Sequence, residues 1–212
     1  MSRIKTYKVP KGNAFILDLN DSISDTTKKY IDSVKDKILN TPSEKYKAVK
    51  RDIKSNKDWY IVKIKSSSNF IFNYYLRNNI DFIYNPNKEL SSDNFYSVNI
   101  EHSELAYLAI LNSSFTRLNI LNNSRSQGNG LRKIQLYEFK EVKTVHIKNI
   151  SSKSVNKLEK LGKSLMNVNR YDNQQNEIID QIDIILLNEY NEYNNSSIQI
   201  EELKNELKEY IK

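Results

Sequence analysis

The chain has no cysteine among its 212 residues. Disulfide frameworks, thiolate metal sites and cysteine nucleophiles are therefore excluded. Histidine is almost as scarce. His102 and His146 are the only two, too few for a histidine-rich metal centre. Neither has an evident nucleophile or acid partner, so each reads as a structural or surface residue. The three prolines, Pro10, Pro42 and Pro86, never fall side by side. The four glycines, Gly12, Gly128, Gly130 and Gly162, spell no G-x-G-x-x-G, F-x-G-x-G or P-loop. Those are the turns through which a strand presents backbone N–H groups to a nucleotide. Gly128-Asn129-Gly130 follows a helical pattern and precedes a strand pattern, the wrong context for a dinucleotide site. No run of 18 apolar residues occurs, so no membrane span is expected. The first ten residues lack the apolar segment of a secretory signal, and a cytoplasmic location is expected. Glu-x-Lys, part of some Mg²⁺-dependent nuclease sites, occurs at Glu138, Glu141, Glu202 and Glu206. Four occurrences in a lysine-rich chain are what chance supplies.

What is present is polar but foldable. Hydrophobic residues make up 38% and aromatics 10%, including 14 tyrosines, with 28% charged residues and a mean hydropathy of −0.68. That aromatic content argues against a disordered chain. The net charge of +7 is uneven. Residues 1–65 carry 16 Lys and Arg against 8 Asp and Glu, residues 66–150 carry 9 against 7, and residues 151–212 carry 8 against 11. A basic front and an acidic tail make a polarised molecule, and a basic surface favours a polyanion such as nucleic acid.

Periodicity outlines the elements. Strands are predicted over 14–19, 59–64, 80–84 and 95–100, with a further apolar segment at 70–76. Helices are predicted over 25–39, with Ile31, Val34 and Ile38 on one face, and over 43–53. One long helix is predicted over 104–121, with Ser103 as its N-cap. Short strands are predicted at 133–136 and 142–147, flanking Tyr137-Glu138-Phe139-Lys140. The tail reads as three helices, 155–168, 176–190 and 198–211. The expected fold class is α+β. A mixed domain spans residues 1–150 and a helical appendage spans 151–212, divided at Ser151-Ser152 where the charge changes sign. The stripes of the tail helices are narrow, suited to packing on the first domain or on a partner.

Several segments carry a resemblance. In order they are Trp59-Tyr60, Phe70-Ile71-Phe72-Asn73-Tyr74-Tyr75, Phe82-Ile83-Tyr84-Asn85 and Asp93-Asn94-Phe95-Tyr96. Then come Tyr107-Leu108-Ala109-Ile110-Leu111-Asn112-Ser113-Ser114, Arg125-Ser126-Gln127-Gly128-Asn129-Gly130-Leu131-Arg132-Lys133 and Tyr137-Glu138-Phe139-Lys140. Over residues 58–147 this order resembles the C-terminal target recognition domain of gamma-class N6-adenine DNA methyltransferases of type II and fused type IIG restriction–modification systems. Two departures stand out. Asn129 sits between the loop glycines, and Val142-Lys143 stands where the family often has Leu-Pro. The resemblance implies a DNA-reading module without its catalytic half. In full-length members a separate domain binds S-adenosylmethionine and transfers its methyl group at an (Asn/Asp/Ser)-Pro-Pro-(Tyr/Phe) motif. Asn85-Pro86-Asn87-Lys88 lacks the second proline and the aromatic, and reads as a turn. No cofactor is therefore expected in this chain, and S-adenosylmethionine is implied only for a methyltransferase partner domain or subunit.

The candidate DNA contacts follow. Gly128 and Gly130 allow positive φ and close approach of backbone to phosphate. Arg125, Arg132 and Lys133, with Asn129, surround them and suit phosphate or guanine contacts. Lys47, Lys50 and Arg51, with Lys45 and Lys54 on the same basic helix, suit the phosphate backbone. Asn112-Ser113-Ser114 reads as internal packing and hydrogen bonding. Trp59, Phe72, Tyr75, Phe82 and Phe95 read as core. The expected partners are duplex DNA and the methyltransferase partner, with no membrane. Competing readings are a stand-alone specificity subunit that recruits separate catalytic subunits, and a helical interaction protein that does not bind DNA.

Overall fold

The computed structural model describes residues 4–12, 23–42, 44–61, 67–77 and 80–211. The chain divides into two compact units, Gly12–Lys65 and a second formed by Met1–Lys11 with Ser66–Lys212. In the first, helix α1 (Asp25–Asn40) starts at Ser24, whose Oγ accepts the Thr27 N–H at 3.2 Å. Asp25 in its first turn complements the positive end of the helix dipole. A 3₁₀ turn (Glu44–Tyr46) leads into α2 (Lys47–Lys54). Ile31 of α1 and Ile53 of α2 are buried. The strand expected over 14–19 lies outside the described residues. Of the strand expected over 59–64, Trp59 and Tyr60 form a turn instead, and 62–64 lie outside the described residues.

Among the described residues, the second unit holds two antiparallel sheets. Strands β1 (Phe70–Asn73), β2 (Tyr75–Leu76), β3 (Phe82–Tyr84) and β4 (Phe95–Val98) come first, and β1 lies between β3 and β4. Phe70 pairs with Tyr84 on one side and Val98 on the other. The start of the chain is stitched beside β3. Val9 N–H donates to the Tyr84 carbonyl at 2.7 Å, and Tyr84 N–H donates to the Tyr7 carbonyl at 2.9 Å.

The helix expected over 104–121 is two helices, α3 (Glu104–Leu111) and α4 (Ser114–Asn123). A long-range bond sets the break. The buried Asn112 side chain accepts the Phe82 N–H and donates to the Phe82 carbonyl, both at 3.0 Å. Ser113 then restarts the helix, its Oγ accepting the Thr116 N–H at 3.3 Å. The Asn-Ser-Ser segment is internal, as expected. Ser103 sits at φ +55° and makes no side-chain cap bond.

Strands β5 (Arg125–Ser126) and β6 (Arg132–Lys133) follow, and β6 pairs with both β2 and β5. Tyr137-Glu138-Phe139-Lys140 belongs to a short helix, α5 (Leu136–Lys140), rather than lying between strands. Its capping box joins Gln135 and Glu138. The expected strand at 142–147 is irregular and ends in a 3₁₀ turn (Ile147–Asn149).

The tail forms α6 (Ser152–Asn167), α7 (Gln174–Asn194) and α8 (Ile200–Ile211). No helix among the described residues is long and apolar enough to cross a membrane. The boundary expected near residue 150 does not divide the core. Leu158, Leu165, Ile178, Ile182 and Leu186 from the tail share one cluster with Phe70, Phe72, Phe82, Leu108 and Ile110. α3 is apolar all round because it is covered by β3, α6 and α7. Gly162 of α6 permits the closest approach. A Cβ there would stand 1.9 Å from the Leu105 carbonyl oxygen of α3.

Candidate functional site

Helix α4 leads directly into the glycine hairpin, and charged side chains hold it at three points. At its N-terminus the buried Asp183 Oδ1 accepts the Ser114 N–H at 2.8 Å. In the middle Arg117 reaches Asp81 Oδ1 at 2.8 Å. At the C-terminus Arg132 donates from Nη2 to the carbonyls of Leu121 at 3.1 Å and Ser124 at 2.8 Å, and from Nε to Ser124 Oγ at 2.8 Å. An anion at the amino end and a cation at the carboxyl end both match the helix dipole.

Asp81 is the hub of the buried charges. Arg170 grips its Oδ2 with two bonds, 2.8 and 2.7 Å, while Arg117 takes Oδ1. Burial lowers the Arg117 pKa, but Asp81, Tyr7 and Asp183 together outweigh it, and the net shift is upward. Tyr7 joins the hub, donating to Asp81 at 3.4 Å and to Gln175. Burial and then the Asp81 charge push the Tyr7 hydroxyl up to about 12. Asp183 differs from Asp81. Its Oδ2 has no hydrogen-bond partner among the described residues. Burial pushes this carboxyl up to about 6, against the opposing pull of the Ser114 N–H and Arg117.

The β2–β6–β5 sheet has two rows. Tyr75 pairs with Lys133, and Lys133 with Arg125; Leu76 pairs with Arg132, and Arg132 with Ser126. Cross-strand partners share a face and successive residues alternate. Leu76 is buried and Arg132 turns back to cap α4, which makes theirs the inner row. The outer row faces solvent. Tyr75 is 41% exposed and the Arg125 side chain 61%. Lys133 Nζ lies 5.3 Å from the Tyr75 ring centroid and 5.5 Å from that of Tyr74. Arg125 sits 5.7 Å over the exposed Tyr137 ring and donates to the Tyr137 hydroxyl and to Glu138. The Gln135 N–H, with Arg125 assisting, holds the Glu138 carboxyl below its usual range.

At the hairpin tip Gln127 N–H donates to the Leu131 carbonyl at 2.8 Å, and Leu131 N–H donates to the Gly128 carbonyl at 3.0 Å. Gly128, Asn129 and Gly130 all have positive φ, at 84°, 50° and 68°. No heavy atom lies within 4 Å of where a Cβ would stand on either glycine. The glycines serve the backbone conformation, and the space around them is open to a ligand.

The structure therefore gathers the exposed Arg125, Gly128, Asn129 and Gly130 with the half-buried Lys133 on one side of the sheet, and ties Arg132 to the end of α4. Lys47, Lys50 and Arg51 lie in the other unit. With Pro42, Glu44, Lys54 and Ser55 they line an open depression of about 420 Å³. Lys50 donates to the Thr41 carbonyl that ends α1, Lys47 pairs with Glu44 at 3.5 Å, and Arg51 lies 3.6 Å from Asp52. Tyr75, read from sequence as core, is instead on the outer surface with Tyr137. The alternation of Arg132 and Lys133 was the available signal for the division between anchor and surface. Gly128 and Gly130 shape an exposed hairpin tip, and Gly162 a helix crossing.

An α+β domain that presents cations and aromatic rings beside a glycine-tipped hairpin is the class these features define. The chain matches the family described as "Type II methyltransferase M.Eco57I, C-terminal domain" over residues 3–187, and it belongs to that family. The match extends beyond 58–147 to include the basic front and most of α7. The family is the C-terminal domain of a methyltransferase, not its catalytic part. A search of curated proteins returned no match.

Proposed function

We propose that this chain reads duplex DNA for a type II adenine-N6 methyltransferase of a restriction–modification system. A separate catalytic domain or subunit would bind S-adenosylmethionine, which supplies the methyl group. The observation that carries the reading is the outer row of the small sheet. It places two cations, the half-buried Lys133 and the exposed Arg125, beside a tip whose backbone is open. Lys133 and Arg125 neutralise phosphates, and the N–H groups of Gly128 and Gly130 approach them closely. Asn129 at the apex offers an amide that can both donate to and accept from a base edge in the major groove. Arg132 supports the reading from behind, because the helix it caps sets the position of β5. Lys47, Lys50 and Arg51 on the other unit add contacts to the phosphate backbone.

The test is a fluorescence anisotropy titration of labelled duplex DNA. Binding is expected at about 50 mM salt, weakening at least tenfold by about 200 mM as counterion release loses its drive. A protein that binds no duplex at the lower salt overturns the proposal.

A further inference from the structure

The outer row ends on a ring, and that ring is the surface end of an aromatic column rooted in the core. From the buried Phe82 the centroid steps are 4.5 Å to Phe72, 5.1 Å to Phe139 and 5.1 Å to Tyr96. They continue 5.2 Å to Tyr74 and 4.7 Å to Tyr75. Polar ties hold the column. Tyr96 Oη donates to the Ile134 carbonyl at 3.0 Å, Ile134 N–H donates to the Tyr74 carbonyl at 3.1 Å, and Tyr74 Oη donates to Asn94 Oδ1 at 3.3 Å. Phe82 and Phe72 are 2% and 0% exposed, whereas Tyr75 is 41% exposed. The column is therefore fixed at its inner end and open at its outer one.

A fixed, exposed ring loses little freedom when something stacks on it. The ammonium of Lys133 beside it suits the phosphate attached to whatever stacks. Bases inside a paired helix present only their edges in the grooves, so a ring face is of no use to them. A base released from its stack presents its face. One ring flanked by cations offers too little apolar area for a protein interface. We propose that Tyr75 is a stacking platform for an unstacked nucleobase, either extrahelical in a duplex or in a single strand, with Lys133 on its phosphate. The proposal rests on the DNA reading above and adds the form of DNA preferred.

The experiment uses the full chain and three probes of one sequence: a paired duplex, the same duplex with one unpaired 2-aminopurine, and the single strand carrying 2-aminopurine. The wild-type protein is expected to bind the duplex with the unpaired base about tenfold more tightly than the paired one, and to quench its fluorescence. Tyr75→Phe should keep both effects. Tyr75→Leu should lose both, and circular dichroism checks that it is folded. Tightest binding to the single strand, with the same dependence on Tyr75, assigns the source as single-stranded DNA. Equal preference and quenching in Tyr75→Leu, or no preference in the wild type, overturns the inference and leaves duplex reading intact. No binding to any probe removes both.

Discussion

Arg132 and Lys133 are neighbours in sequence, identical in charge and in the same short strand, yet they serve opposite sides of the molecule. Arg132 points inward and spends three hydrogen bonds on the end of α4. Lys133 points outward between Tyr74 and Tyr75, and no acidic side chain among the described residues pairs with it. The comparison extends to the rows they head. Inward charges, Asp81 above all, hold the scaffold; of the outward ones, Arg125 pairs with Glu138 at the surface and Lys133 faces a ligand without an acidic partner among the described residues. A positive residue next to a glycine loop is therefore not a DNA contact until its row is known.

The largest effect should come from the deepest inward group. Asp81→Ala leaves Arg117 and Arg170 buried without their counter-charge, and should cost about 3–5 kcal/mol in chemical denaturation. A loss below about 1 kcal/mol would show that the inward charges are not structural.

Asp183 sharpens the contrast through pH. Its pKa is about 6 in the folded protein against 3.8 for an exposed carboxyl, so folding takes up a proton between those values. Its contribution to stability is fully present below about pH 4 and is lost as pH rises through 6. The loss is up to about 3 kcal/mol, since one pKa unit is about 1.4 kcal/mol. Asp183→Asn does not titrate. Its stability relative to wild type should rise between pH 4 and 6, and a parallel pair of curves would contradict this.

Arg132→Ala should cost about 2 kcal/mol, the range for hydrogen bonds to a charged group. Below its melting temperature its duplex affinity should stay within about twofold of wild type, a purely structural loss. A tenfold fall in affinity would move Arg132 to the binding surface.

The outer row should show the reverse. Arg125→Ala with Lys133→Ala should change stability by less than about 1 kcal/mol, since exposed pairs contribute little. Its duplex affinity should fall about tenfold as two phosphate contacts are lost.

Local patterns made much of this legible. The tail helices, the third and fourth strands, and the buried Phe72 and Phe82 follow from apolar period and aromatic content. So did the glycine loop, because positive φ at Gly128 and Gly130 is a property of the residues themselves. What escaped was non-local. The break between α3 and α4 depends on Asn112 bonding a strand 30 residues away. The helix at Tyr137 is five residues long, too short for a period to register. The tail looked separable because its charge changes sign at the surface, whereas Leu158 and Ile182 share the common core. Tyr75 looked internal because strands of two residues give no alternation to read. Pairing with Lys133, known only from the fold, placed it outside.

The central claim is that the outer row meets the DNA backbone while the inner row holds the scaffold. Its most direct test is the slope of log affinity against log salt for a paired duplex. Relative to wild type, Arg125→Ala with Lys133→Ala should lower the magnitude of that slope by about 1.8, or about 0.9 per phosphate contact. Arg132→Ala should leave it unchanged. A slope reduced by Arg132→Ala and untouched by the outer pair would contradict the account.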